Sequence, residues 1–245
     1  VAGRVKLISF AEGVFRPRKA QFQAEAEAID LYDEIQVHET ATLPADFVCR
    51  HENFMVDNPR GYGFWIWKPL IVLEALRASG PNDIVVYSDV GFTIQTEGRA
   101  RMAEYLDITR ASPFGMLSFD NTHIEYVWTK RDLALRLNVD SNPVVMATSQ
   151  IAAGFFIVRP TASNIELMRE WCAVAVEDNY RFSDDSPSIA PNDDRFVEHR
   201  HDASIGSLLR KKRGTTLTHY DVQPYDHAFE WRRPSLPMLA TRLRE

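Results

Sequence analysis

The chain has little cysteine: two residues in 245, Cys49 and Cys172, far apart in sequence. Such a pair makes no disulfide framework, and the expectation is reduced thiols in a cytoplasmic protein. No apolar run approaches the ~18 residues that would cross a bilayer, and the opening VAGRVKLISF holds too short an apolar stretch for a signal peptide. Positive charge is in the minority, with 28 Lys and Arg against 34 Asp and Glu and a formal net charge of −6. That balance excludes a general nucleic-acid binder and still allows a local basic pocket. Internal repeats and low-complexity tracts are absent. The start at Val1 and the ending RLRE raise the expectation of a larger parent polypeptide or assembly.

What remains is an ordinary globular composition, 45% hydrophobic and 25% charged, at a length that suits one α/β domain. VKLISF reads as a first strand, RKAQFQAEAEAIDLY as a helix and EIQVHE as an alternating second strand, which makes a βαβ opening. LPADFVCRHENFM and WKPLIVLEALRAS read as helices with a proline tolerable in the first turn. IVVYS is a β-branched buried strand. Helix then follows over GRARMAEYLDI, strand over FGMLSF, helix over TKRDLALRLNV and one strand over QIAAGFFIVRP. SNIELMREWCAVAVE is an amphipathic helix with Ser163 or Asn164 as its N-cap. DNYRFSDDSPSIAPNDDRF is polar and Pro-interrupted, a long loop expected to act as a lid over a ligand. A last helix runs through Ile205, Leu208 and Leu209 to a C-cap at Gly214.

Three stretches carry candidate chemistry. NPRGYGFWIWKPLIVLEAL sets Arg60 and Lys68 among Tyr62, Trp65 and Trp67, and an ammonium group in aromatic surroundings needs an anionic partner. The Arg and Lys can bind phosphate, and the aromatics either stack on a sugar or base or belong to the core. DIVVYSDVGF ends an apolar strand on Ser88 and Asp89, the place where open α/β sheets bind ligands. A carboxylate there can hold a divalent cation or hydrogen-bond a sugar, or merely begin a turn. His199, His201 and Asp202 form the densest titratable cluster. Asp202 can act as base, as metal ligand or as helix N-cap, and a structural zinc site is rejected for want of a third ligand.

DIVVYSDVGF resembles the strand and acidic turn of GT-A-type nucleotide-sugar glycosyltransferases, in which the strand runs into an Asp-x-Asp motif. Asp89 matches the first Asp, and Gly91 stands at the second. RGYGFWIWKP and EHRHDASIGSLL resemble motifs of a bacterial subgroup of these enzymes that serves capsule and lipopolysaccharide synthesis. TSQIAAGFFIVRP falls where such enzymes line the acceptor side, and the ordered resemblance runs from VKLISF to LLRKKRG. It implies a single GT-A-like domain over residues 1–245, a Rossmann-related mixed sheet flanked by helices. Residues to about 110 would form the nucleotide-binding half and those from about 111 the acceptor-binding half. The implied activity is hexosyl transfer from a nucleotide sugar, a UDP-sugar, to a saccharide acceptor. Asp89, Lys68, Arg60, Ser9, Phe10 and Ser88 would bind the donor. Gln150, Trp65 and Tyr62 would bind the acceptor, and Asp202, His201 and Glu198 would flank the reacting centre. Mn²⁺ or Mg²⁺ would sit on Asp89 and His201, although Gly91 supplies no second carboxylate. The rival expectation is a non-catalytic sugar- or nucleotide-binding module of the same fold.

Overall fold

A computed structural model describes residues 3–218 and 235–244. The chain opens with β1 (Val5–Phe10), α1 (Arg18–Ala28), β2 (Glu34–His38) and α2 (Ala45–Asp57). A one-turn segment α3 (Gly61–Phe64) leads into α4 (Lys68–Arg77), β3 (Ile84–Ser88), the short β4 (Thr93–Ile94) and α5 (Arg99–Ala111). Then come β5 (Met116–Ile124), three short helices α6 (Glu125–Trp128), α7 (Arg131–Arg136) and α8 (Pro143–Met146), β6 (Ser149–Ile151) and β7 (Phe155–Val158). The long α9 (Ala162–Tyr180), α10 (Asp202–Arg213), β8 (Thr216–Thr218) and β9 (Met238–Leu239) complete the described elements.

Seven strands form one mixed sheet in the order β2-β1-β3-β7-β5-β6, with β8 beside β5. β1 runs parallel to β2 and β3, and β7 enters antiparallel between β3 and β5. The central strands read as continuous apolar runs because both faces are covered. Alternation still assigns each side chain to a layer. Ile8, Phe10, Val85, Tyr87, Phe156 and Val158 join the core under α4, α9 and α10. Val5, Leu7, Ile84, Val86, Phe155 and Ile157 join the opposite core with α1 and α5. This is the mixed α/β sheet flanked by helices that the sequence implies.

Two local expectations need correction. QIAAGFFIVRP is two strands, β6 and β7, separated by Ala152–Gly154. The break has a tertiary cause: the carbonyl of Gly154 accepts from Asp89 N at 2.8 Å, and that of Ala153 faces the Lys68 ammonium at 3.3 Å. The N-cap of α9 is Thr161, whose hydroxyl accepts from Asn164 N; neither Ser163 nor Asn164 caps the helix. Gly214 does end α10, with φ at +89°.

Candidate active site

At the carboxyl end of β3 the sheet opens into a cavity of about 730 Å³. Asp89 follows β3 directly, and Lys68 begins α4 after the turn that precedes it. That turn answers for the glycines of RGYGFW. Residues 61 to 65 all have positive φ, from +51° to +81°, so the chain makes a left-handed turn. Gly accepts that conformation freely, whereas Tyr62, Phe64 and Trp65 each bear strain of about 1–2 kcal/mol. The Trp67 indole N–H donates to the Gly61 carbonyl at 3.0 Å and braces the turn. Strain held this firmly is typical of ligand sites. Here it turns Tyr62 and Trp65 toward the cavity and lets Trp67 stack on Phe10, with ring centroids 3.9 Å apart.

The floor of the cavity is a buried charge cluster. The Lys68 ammonium, 2% exposed, donates to Asp202 Oδ2 at 2.6 Å and to the Ala153 carbonyl at 3.3 Å, and lies 3.2 Å from Asp89 Oδ1. Its three N–H groups therefore have three protein acceptors. The Tyr87 hydroxyl also donates to Asp89 Oδ1, at 2.6 Å. Two carboxylates share one ammonium in a dry site, so one of them holds a proton more readily than usual. Burial, aided by the charge of Asp89 and opposed by Lys68, pushes Asp202 up to about 6. The two carboxylates raise Lys68 against the burial that would lower it.

Both histidines of the late cluster are neutral. His199 accepts from Lys130 N at Nδ1 and donates from Nε2 to the Phe182 carbonyl at 2.9 Å, which fixes its tautomer. His201, with φ at +52°, donates from Nδ1 to the Ser183 carbonyl at 2.8 Å. Its Nε2 is buried and has no hydrogen-bond partner. Burial depresses His201 to about 4 and holds His199 well below the ordinary histidine value. Asp202 is the first residue of α10 and does not cap it, since its carboxylate is engaged by Lys68.

The expected residues separate into two groups. Phe10, Arg60, Tyr62, Trp65, Lys68, Asp89, Gln150, His201 and Asp202 all line the cavity. Ser9, Ser88 and Glu198 do not. Ser9 is fully buried and its hydroxyl donates to the Ser88 carbonyl at 2.7 Å, tying β1 to β3. Ser88 is buried as well and donates to the Asp89 carbonyl. Glu198 stands behind the rim between Arg60, at 3.6 Å, and Arg200, at 3.2 Å. Gln150 donates to Thr129 Oγ1 at 3.0 Å and to Ser204 Oγ at 3.1 Å, leaving its amide oxygen unpaired in the wall.

Sequence reasoning passed over Glu12, Asn121, His123, Arg200, Arg242 and Arg244, which also line the cavity. Arg200 lies inside the HRHD stretch and was within reach of that reading. Arg242 and Arg244 arrive on the C-terminal segment, which pairs β9 with β4 and donates from Leu243 N to the Gly91 carbonyl at 3.0 Å. A Cβ at Gly91 would meet Phe15 Cε1 at 3.0 Å and Arg242 Cα at 3.3 Å.

The residues present do not fit the divalent cation expected on Asp89 and His201. One Asp89 oxygen is taken by Lys68 and Tyr87, position 91 is packed against the C-terminal segment, and an ammonium already lies 3.2 Å from Asp89. Among the described residues no three His, Cys, Asp or Glu side chains converge as metal ligands.

The segment expected to be a lid is tied down. The Lys130 ammonium donates to the carbonyl of Arg181 at 2.6 Å, to Asp184 at 3.0 Å and to the carbonyl of Ser186 at 3.0 Å. Asp132 accepts from the amides of Ile189 and Ala190, each at 2.8 Å, and from Arg181 at 2.7 Å. Although partial burial opposes it, these donors hold Asp132 down at about 2. The loop is irregular in shape and anchored by these bonds to the start of α7.

No helix of the described residues is long and apolar enough to cross a membrane. No protein-family model and no curated protein matches the chain. Among solved structures the fold is similar to that of a glycosyltransferase involved in the glycosylation of the major capsid of PBCV-1. The TM-score is 0.51 at 10% identity, covering 96% of this chain and 91% of that one.

Proposed function

We propose that the chain is a GT-A-type glycosyltransferase that transfers a hexosyl group from a UDP-sugar to a saccharide acceptor, in the cytoplasm, during bacterial surface-polysaccharide synthesis. The observation that carries the reading is the Lys68–Asp89–Asp202 cluster on the floor of a large cavity at the carboxyl end of β3. The likeness of fold to a glycosyltransferase structure supports it. The aromatic wall of Phe10, Tyr62 and Trp65 offers stacking surface for a base or a sugar.

In this mechanism the acceptor hydroxyl attacks the anomeric carbon, and the bond from that carbon to the diphosphate oxygen breaks. Asp202, poised near neutrality, takes the hydroxyl proton as general base. Lys68 acts as a positioning residue: its N–H groups face the protein, so it fixes the two carboxylates and does not contact phosphate. Asp89 presents its remaining oxygen, on a side chain 31% exposed, to the donor. Gln150 and His201 line the same cavity, each with one buried polar atom that has no protein hydrogen-bond partner.

The test is a stability screen against UDP, GDP and CDP and their sugars. A ligand that binds only the native state raises the melting temperature by mass action. The reading expects a shift with one nucleotide series, larger for the nucleotide sugar than for the free sugar. No shift with any nucleotide, together with stabilisation by simple sugars, would replace it with a saccharide-binding module.

A further inference from the structure

Arginine converges on this cavity in a chain whose net charge is negative. Arg60, Arg200, Arg242 and Arg244 all line it. Arg60 and Arg200 share Glu198 at 3.6 and 3.2 Å, and Arg200 also lies 4.3 Å over the Trp128 ring, which holds its guanidinium plane in one orientation. Among the described residues Arg242 and Arg244 have no carboxylate partner; Arg244 lies 5.9 Å over the Phe15 ring. Burial first, and then the charges of Arg60 and Arg242, make Arg200 easier to deprotonate than an ordinary arginine, while Glu198 opposes the change. The guanidinium groups of Arg60 and Arg242 thus act on Arg200 across the rim, an arrangement that an anion would relieve.

The C-terminal segment makes a second, independent link. Its packing against Gly91 closes the position where a carboxylate would help hold a cation, and the same segment brings in Arg242 next to that closed position. Arg242 adopts φ of +57°, a strained conformation for a residue with a side chain. Among the described residues the floor has no free cation of its own, because Lys68 is committed to Asp89, Asp202 and the Ala153 carbonyl.

We infer that the diphosphate of the donor is held, and its leaving charge neutralised, by Arg200 with Arg242 and Arg244, without a divalent cation. The inference rests on the reading of the chain as a nucleotide-sugar enzyme. Arginine suits the task because its fork can meet two phosphate oxygens at once, and it stays charged as the sugar–phosphate bond breaks and the negative charge on the nucleoside diphosphate grows.

Titration calorimetry with UDP and with inorganic pyrophosphate tests the assignment, in EDTA and again with Mn²⁺, on the wild type and on the Arg242→Ala/Arg244→Ala and Arg200→Lys variants. The two C-terminal side chains are exposed, so a melting curve suffices to confirm folding of the double variant. The expected result is binding in EDTA within about 2-fold of that with Mn²⁺, weakened by ~10-fold or more in the double variant, the scale of one charge-assisted contact. Arg200→Lys keeps the charge and loses the fork, and should fall between the two. UDP binding that appears only with Mn²⁺, or that the double variant leaves unchanged, overturns the inference and leaves the proposed function standing. Absence of UDP and pyrophosphate binding under every condition overturns both.

Discussion

Lys68 on the cavity floor is 2% exposed and its ammonium has three protein acceptors, whereas Arg60 on the rim is 42% exposed and comes no closer than 3.6 Å to a carboxylate. The two cations lie eight positions apart on either side of one left-handed turn. Their roles differ because solvent differs. In the dry floor a cation is bound to its carboxylates so strongly that removing either side leaves an uncompensated buried charge. On the wet rim the same pairing is screened and weak, which leaves the guanidinium groups available to a ligand.

The comparison breaks first at Lys68. Lys68→Met leaves Asp89 and Asp202 facing each other without a counter-charge, and denaturant unfolding should show a loss of about 3–5 kcal/mol. A lysine that bound donor phosphate, as the sequence resemblance implied for Lys68, would instead harm transfer more than stability; the ammonium is held by protein groups. Arg60→Ala should change stability by less than about 1 kcal/mol. Equal losses at the two positions would erase the distinction between floor and rim.

Next in size is the effect on the loop that precedes Arg200. Asp132→Ala removes the acceptor from the Ile189 and Ala190 amides and from Arg181. We expect a loss of about 2 kcal/mol and faster hydrogen exchange confined to residues near 181–190. Unchanged exchange there would show that the loop is held by something other than these bonds.

A smaller effect separates the floor from the neighbouring histidine by the sign of its pH dependence. Asp202 is raised from 3.8 to about 6 in the fold, so it favours the native state at low pH, and this contribution is lost as pH rises from about 4 through about 6. His201 is lowered from 6.5 to about 4, so its contribution is present above 6.5 and lost as pH falls through about 4. Relative to wild type, Asp202→Asn should therefore gain stability as pH rises, and His201→Gln should gain as pH falls. Urea midpoints between pH 4 and pH 7 measure both, and slopes of the same sign would contradict the assignment.

How far the sequence foretold this arrangement depends on the range of the interactions. The strands VKLISF and IVVYS and the start of α4 at Lys68 were legible because apolar runs and a first-turn proline are local signals. The place of Asp89 at the cavity was legible because open α/β sheets bind ligands at the carboxyl ends of their strands. The break at Ala152–Gly154 was not, since its cause is the approach of Lys68 and Asp89 from elsewhere in the chain. Nor were Arg242 and Arg244, which reach the cavity only because β9 pairs with β4 across some 145 residues of sequence. The loop was read as a lid because its composition is polar and Pro-interrupted. Its anchors, Lys130 and Asp132, lie about fifty residues earlier and carry no mark of that role. Ser9 and Ser88 were misjudged by their position at strand ends, where burial gave them to the interior.

Asp202 is the general base within the buried cluster in the proposed mechanism. Release of UDP from a UDP-sugar in the presence of a saccharide acceptor, compared between the wild type and Asp202→Asn, tests this most directly, with UDP binding measured on both. The variant should still fold and bind UDP while release falls by ~10²-fold or more, the scale of a lost general base, and the wild-type rate should rise with an apparent pKa near 6. A variant that releases UDP at the wild-type rate would contradict that role.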